Sequence, residues 1–154
     1  MATDLRRSAN IFNLPWASGW PDNYPFKATT LKVQRVLTAI EIDHPNHYPE
    51  VISALYHAFW VEKKGVQLPE VHYPIIACIL GEESATKILE RSSSDEIKAL
   101  LKQNTEHAIA SGCPGLPWVM VTNTDGKDEG YFGFDHLSQV AHFLGLGMSI
   151  GPNL

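Results

Sequence analysis

A chain of 154 residues, 44% of them hydrophobic, has the size of one ordinary domain and enough apolar surface for a core, which argues against disorder as its general state. The formal net charge of −5, with 12 Lys+Arg spread thinly, gives no basic stripe for phosphates or anionic lipid, so neither nucleic acid nor a membrane surface is expected as a partner. Cys78 and Cys113 form neither a CxxC pair nor a disulfide framework, and Met1 to Arg7 carries no apolar run for a signal peptide, so a cytoplasmic setting is expected.

Leu5, Ala9 and Phe12 recur at helical spacing and predict a short helix over 3–12, stopped before Pro15. Residues 14–27, rich in proline and in aromatics such as Trp16, Trp20, Tyr24 and Phe26, suit an ordered loop lying on apolar surface. From Thr29 to Asp43 the set Leu31, Val33, Val36, Leu37 and Ile40 predicts a helix that His44-Pro45 ends. A third follows over 49–64, with Ile52, Leu55, Tyr56, Phe59 and Trp60 on one face and Gly65 at its close.

Pro69 and Pro74 are expected to bracket a break, followed by short helices over 75–80 and 83–90 with Gly81 between them. Cys78, within the first of these apolar runs, is expected in the core. Ser93 or Ser94 ahead of Asp95 and Glu96 reads as the cap of a long helix that Ile97, Leu100, Leu101 and Ala108 carry to Gly112. The pattern then changes: Trp118 to Thr122 is rich in strand formers, Asp125-Gly126 is a hairpin turn, and Gly130-Tyr131-Phe132 returns as a second strand. Asp135 reads as the N-cap of a last helix with Leu137, Val140, Ala141, Phe143 and Leu144, ending at Gly145. The whole is a mainly helical α+β chain, with a helical module over 1–112 and a ββα segment over 113–154.

Gly115-Leu116-Pro117, opening a strand after a long helix and followed by a hairpin and a helix, resembles the C-terminal half of a thioredoxin fold, in which Pro117 would be the cis-proline. Gly112 to Pro117, Asn123 to Gly126, Tyr131 to Asp135, His142 to Gly145, Phe12 to Pro15 and Tyr56 to Trp60 together resemble kappa-class glutathione transferases and the wider DsbA-like group. That resemblance implies glutathione held against Leu116, Pro117, Gly133, Phe134 and Asp135, and chemistry of transferase or isomerase type on a small hydrophobic molecule. Phe134 stands where the family has serine, which removes a hydroxyl. The strand–helix–strand segment in which the family carries its catalytic Ser or Cys has no counterpart in this sequence. The expectation drawn from this is an open edge on strand 118–122, closed by antiparallel pairing with a second copy into a homodimer.

Cys113, just ahead of the proline loop, is the candidate replacement nucleophile, weighed against a half-buried apolar role. His57 is a candidate acid or base, against an ordinary surface histidine. Phe12, Trp16, Trp60 and Trp118, with Trp20, could wall a pocket for a flat apolar ligand, or could be core. His44 and His47 have a spacing that suits a metal, but further ligand motifs are lacking, so no metal is expected. Asp135-His136 could form a dyad, although successive helical residues diverge. Three readings stay open: an enzyme using glutathione, a non-catalytic dimeric binding or assembly protein, and a truncated form of an ordinary transferase whose function belongs to the longer chain.

Overall fold

The computed structural model describes residues 2–16, 19–21 and 29–147, which divide into two compact units within Met1–Leu101 and Lys102–Leu154. Part of the expected loop over 14–27, Tyr24 and Phe26 included, lies outside the described residues.

The first unit contains α1 (Ala2–Ile11), α2 (Leu31–Asp43), a 3-10 turn (Pro45–His47), α3 (Tyr48–Trp60), α4 (Pro69–Leu80), α5 (Glu82–Arg91) and the start of α6 (Asp95–Ala110). Its core joins Val33, Val36, Ala39 and Ile40 of α2 to Val51, Leu55, Ala58 and Phe59 of α3, Ile76 of α4, Ile88 of α5 and Ile97 of α6. Each such large side chain removed from water contributes about 1.5–3 kcal/mol before ordering costs are counted. Trp20 adds an aromatic edge, its ring centroid 5.2 Å from Trp60 and 6.3 Å from Phe59. Arg91, at the end of α5, ties Asp43 of α2 to Glu96 of α6.

Several local expectations are corrected. Pro74 lies inside α4 rather than at a break, and Pro69 opens that helix. The missing N–H of Pro74 leaves the Glu70 carbonyl without its helical donor, but both residues are exposed, so water can take its place. The same exposed stripe carries Cys78, four residues on, which is therefore at the surface and not in the core. Helix α3 buries Val51 and Ala58 and leaves Tyr56 61% exposed. It ends at Trp60, with Lys63 in the left-handed region (φ 56°), ahead of the Gly65 expected to close it.

The second unit has the rest of α6, β1 (Trp118–Thr122), β2 (Asp128–Phe132), a 3-10 turn (Phe134–His136) and α7 (Leu137–Phe143). The strands pair antiparallel with Trp118 opposite Phe132 and Met120 opposite Gly130. The connecting loop is held by Asn123, whose Oδ1 accepts from the N–H groups of Asp125 and Lys127, while Gly126 takes φ 75°. The architecture is the mainly helical α+β arrangement expected, ending in a ββα unit with a cis Leu116–Pro117 bond. Among the described residues no helix is long and apolar enough to cross a membrane.

Candidate functional site

The cis bond places Pro117 immediately before β1, where the Gly133 N–H donates to the Pro117 carbonyl at 2.9 Å. That bond and the one from Asn123 N–H to Lys127 C=O fix the phase of the ladder: Val119 and Val121 turn their backbone groups toward β2, and Trp118, Met120 and Thr122 turn theirs outward. Leu116 is 82% exposed, and among the described residues no backbone group takes its N–H or C=O. An extended ligand can therefore meet one donor and one acceptor there.

Glycines shape the surface around this loop. A side chain at Gly130 would run into the Trp118 indole and approach the Met120 sulfur at 2.9 Å, so the indole lies over bare backbone. Its Nε1–H donates to Ser111 Oγ at 2.9 Å, anchoring the ring to the end of α6. A Cβ at Gly115 would stand 3.1 Å from the Phe132 ring, which packs beside the proline loop. Leu116, Phe132 (47% exposed) and Phe134 (50% exposed) leave apolar surface open here.

The turn at 133–135 explains why Asp135 is not the expected cap. Gly133, at φ 91°, precedes a 3-10 turn that contains Asp135, and no side chain caps either this turn or α7. The Asp135 carboxylate folds back against Gly133 and reaches to 3.4 Å from His136 Nδ1, so the 3-10 geometry brings together two groups that an α-helix would separate. Asp135 is 72% exposed at its side chain, so beside His136 its carboxylate can still accept from an ammonium group.

The expected site residues fall in both units. Cys113 belongs to the second; its Sγ–H donates to the Gly115 carbonyl at 3.1 Å and its N–H bonds to Ala108. His57 belongs to the first, 54% exposed at its side chain, with Nδ1 3.3 Å from Glu62 Oε1. Phe12, Trp16 and Trp60 are in the first unit and Trp118 in the second. His44 and His47 have ring centroids 6.3 Å apart, and among the described residues no group of three or more His, Cys, Asp or Glu side chains could hold a metal ion. Ser111 was not anticipated as an anchor, and nothing in its local sequence marks it. Gly130, a glycine inside a strand pattern, was a readable sign of close packing.

The opposite sheet face, covered by α7, has a cavity of about 440 Å³ lined by Glu129, Tyr131, Ser138, Gln139, His142 and Phe143. Tyr131 Oη donates to Glu129 at 2.6 Å and Lys127 Nζ donates to the same carboxylate at 2.8 Å. The Lys127 bond first, then Tyr131, holds the Glu129 carboxyl below its ordinary range, and the charged acceptor raises the Tyr131 phenol in turn. This polar chain is already satisfied internally, and it lies on the sheet face away from Trp118 and Phe132.

A ββα unit entered through a cis-proline and preceded by a helical module defines a thioredoxin-type class. The DSBA-like thioredoxin domain family matches residues 1–145, and the chain belongs to that family. Among curated relatives it is similar to glutathione s-transferase kappa 2 of Caenorhabditis elegans, 31% identical over 152 residues, which covers 94% of this chain and 64% of the relative. It is likewise 30% identical over 152 residues to glutathione S-transferase kappa 1 of Homo sapiens, covering 94% of this chain and 65% of that protein. The chain thus spans less than two thirds of the length of these relatives.

Proposed function

We propose that this is a glutathione transferase kappa-like protein in which the loop at Leu116–Pro117 and the turn at Gly133–Asp135 hold glutathione beside a small hydrophobic molecule, for transferase or isomerase-type chemistry. The observation that carries this reading is the 2.9 Å bond from Gly133 N–H to the Pro117 carbonyl. It sets an uncommitted peptide group at Leu116 and an exposed carboxylate at Asp135 on one short stretch of backbone. Those groups suit a tripeptide: Leu116 can pair with its backbone, and Asp135 can accept from its γ-glutamyl ammonium. Phe134 offers no hydroxyl but adds apolar surface, which with Leu116 and Phe132 suits a hydrophobic co-substrate. Glutathione would supply the sulfur nucleophile, and the chain's own groups would bind and orient it. The two relatives' names support the same reading.

A non-catalytic binding role is favoured by one observation: the Cys113 thiol is committed to a backbone carbonyl, and His57, in the other unit, is engaged by Glu62. We carry the homodimer into the proposal, with Trp118, Met120 and Thr122 of β1 pairing with the same strand of a second copy. A cytoplasmic setting is also retained, consistent with free Cys78 and Cys113.

Calorimetric titration with glutathione tests the reading. Binding should weaken about tenfold in Asp135→Ala, equivalent to about 1.4 kcal/mol, and strengthen in Phe134→Ser, which restores a hydroxyl. Binding without turnover on model electrophiles would favour the non-catalytic role, and no binding by folded protein would dismiss the glutathione reading. Sedimentation showing a monomer would dismiss the dimer.

A further inference from the structure

A cavity of about 240 Å³ lies in the first unit, where α2, α4 and the turn from α5 into α6 meet, and its wall includes Lys32, Arg35, His72 and Ser93. Lys32 and Arg35 stand three residues apart on α2, so their side chains share a face and repel each other. Lys64, Lys87, Arg91, Lys98, Lys102 and Lys127 each have a carboxylate within 4.0 Å. Among the described residues neither Lys32 nor Arg35 does, and Arg35 Nε is sealed from solvent with no hydrogen-bond partner. Among the described residues no carboxylate lines this wall, and two like charges held together there repel until an anion sits between them.

The other walls state what kind of anion fits. His72 is 1% exposed, and because a carbonyl can only accept, its 2.9 Å contact with Val66 fixes the ring proton on Nδ1. Burial holds the His72 imidazole below its ordinary value, so it adds no third cation to the wall. Ser93 presents an exposed hydroxyl, whereas Ser92 Oγ donates to the Leu89 carbonyl at 2.7 Å. Val36, Pro69 and Leu89 make up an apolar wall, and the volume exceeds what a bare inorganic ion fills.

We infer that this cavity binds a small organic anion, with its carboxylate on Lys32 and Arg35 and a short aliphatic body along Val36, Pro69 and Leu89. The site belongs to the helical unit and uses no residue of the proline loop, so it stands whether or not glutathione binds there.

The test is a titration of the ¹⁵N-labelled full chain at low salt with hexanoate, acetate and inorganic phosphate, followed at the backbone amides of 32–36 and 92–93. Hexanoate should give saturable shifts there, with acetate at least several-fold weaker. The dissociation constant for hexanoate should rise about tenfold in Arg35→Met and at least threefold in Lys32→Met. If Arg35→Met fails to fold, the exposed Lys32→Met decides alone. Absence of saturable shifts, equal affinity in a folded Lys32→Met, or binding of phosphate without hexanoate would each overturn the assignment.

Discussion

At the scale of single residues, two positions have environments tight enough to forecast. A methyl at Gly130 would overlap the Trp118 ring, and that ring cannot swing aside freely because its Nε1–H is bonded to Ser111. Gly130→Ala should therefore destabilise the chain by about 1–3 kcal/mol in chemical denaturation, the usual cost of overpacking a filled site. His72 is the other. Burial first of all holds its imidazole below the ordinary value of 6.5; the nearby Lys32 charge acts in the same direction, while the Val66 bond and Glu70 act against it. The unfolded chain thus binds a proton that the folded chain refuses, so stability is whole above pH 6.5, falls as pH drops toward the folded value, and flattens below it. His72→Gln keeps a donor for Val66 and should lose that slope, which for one proton is at most about 1.4 kcal/mol per pH unit. Urea denaturation of both proteins across this range checks it; equal slopes would assign the acid sensitivity elsewhere.

At the scale of elements, local chemistry sets helix ends, and one of them is testable. Ser94 Oγ accepts from the Ile97 N–H at 3.3 Å, an N-cap contact that begins α6 just where Ile97 enters the core. Ser94→Ala should cost about 0.5–2 kcal/mol in thermal or chemical unfolding, whereas Ser93→Ala, one residue earlier, should leave stability nearly unchanged. The two serines were indistinguishable as sequence, since either could precede Asp95, and only the turn geometry selects one. Helix periodicity did place α2 and α3, whose buried residues recur at the spacing that one-sided burial demands, and α6 and α7, in which Ile97 and the pair Val140 and Ala141 are buried members of the apolar sets. It failed at Pro74, where tertiary packing of Ile76 and Ala77 outweighs a single lost hydrogen bond, and at Cys78, where apolar neighbours in sequence concealed an exposed stripe. It failed also at Asp135, because a 3-10 turn inserted before α7 moves the carboxylate inside the turn. The cis-proline loop was legible through its resemblance to a known motif. The cavity at Lys32 and Arg35 was not, because it joins residues from three elements far apart in sequence and no short pattern records that meeting.

At the scale of the whole molecule, apolar burial is unevenly shared. The connected core of buried side chains runs through α2 to α5 and Ile97, whereas in the second unit the described buried hydrophobics are Val140 and Ala141 of α7. Backbone protection in β1 and β2 therefore rests on one antiparallel pairing and a short helix, with Trp118, Met120 and Thr122 turned to an edge that no described strand covers. Openings that free this hairpin should cost several kcal/mol less than global unfolding, because they expose much less apolar surface. Native-state hydrogen exchange reads this directly. The amides of Val119, Val121 and Tyr131 should exchange through small openings with little denaturant dependence, while those of Val36, Ala39 and Leu55 should wait for the global event. Saturating glutathione should then slow exchange at Val119 and Tyr131 and leave Val36 and Leu55 near their former rates, since a ligand at the proline loop stabilises against the openings that destroy its site. A second copy paired along β1 would instead slow the outward-facing amides of Trp118, Met120 and Thr122 in proportion to protein concentration. One uniform protection level across both units, unchanged by ligand or concentration, would show that the hairpin unfolds only with the helical core.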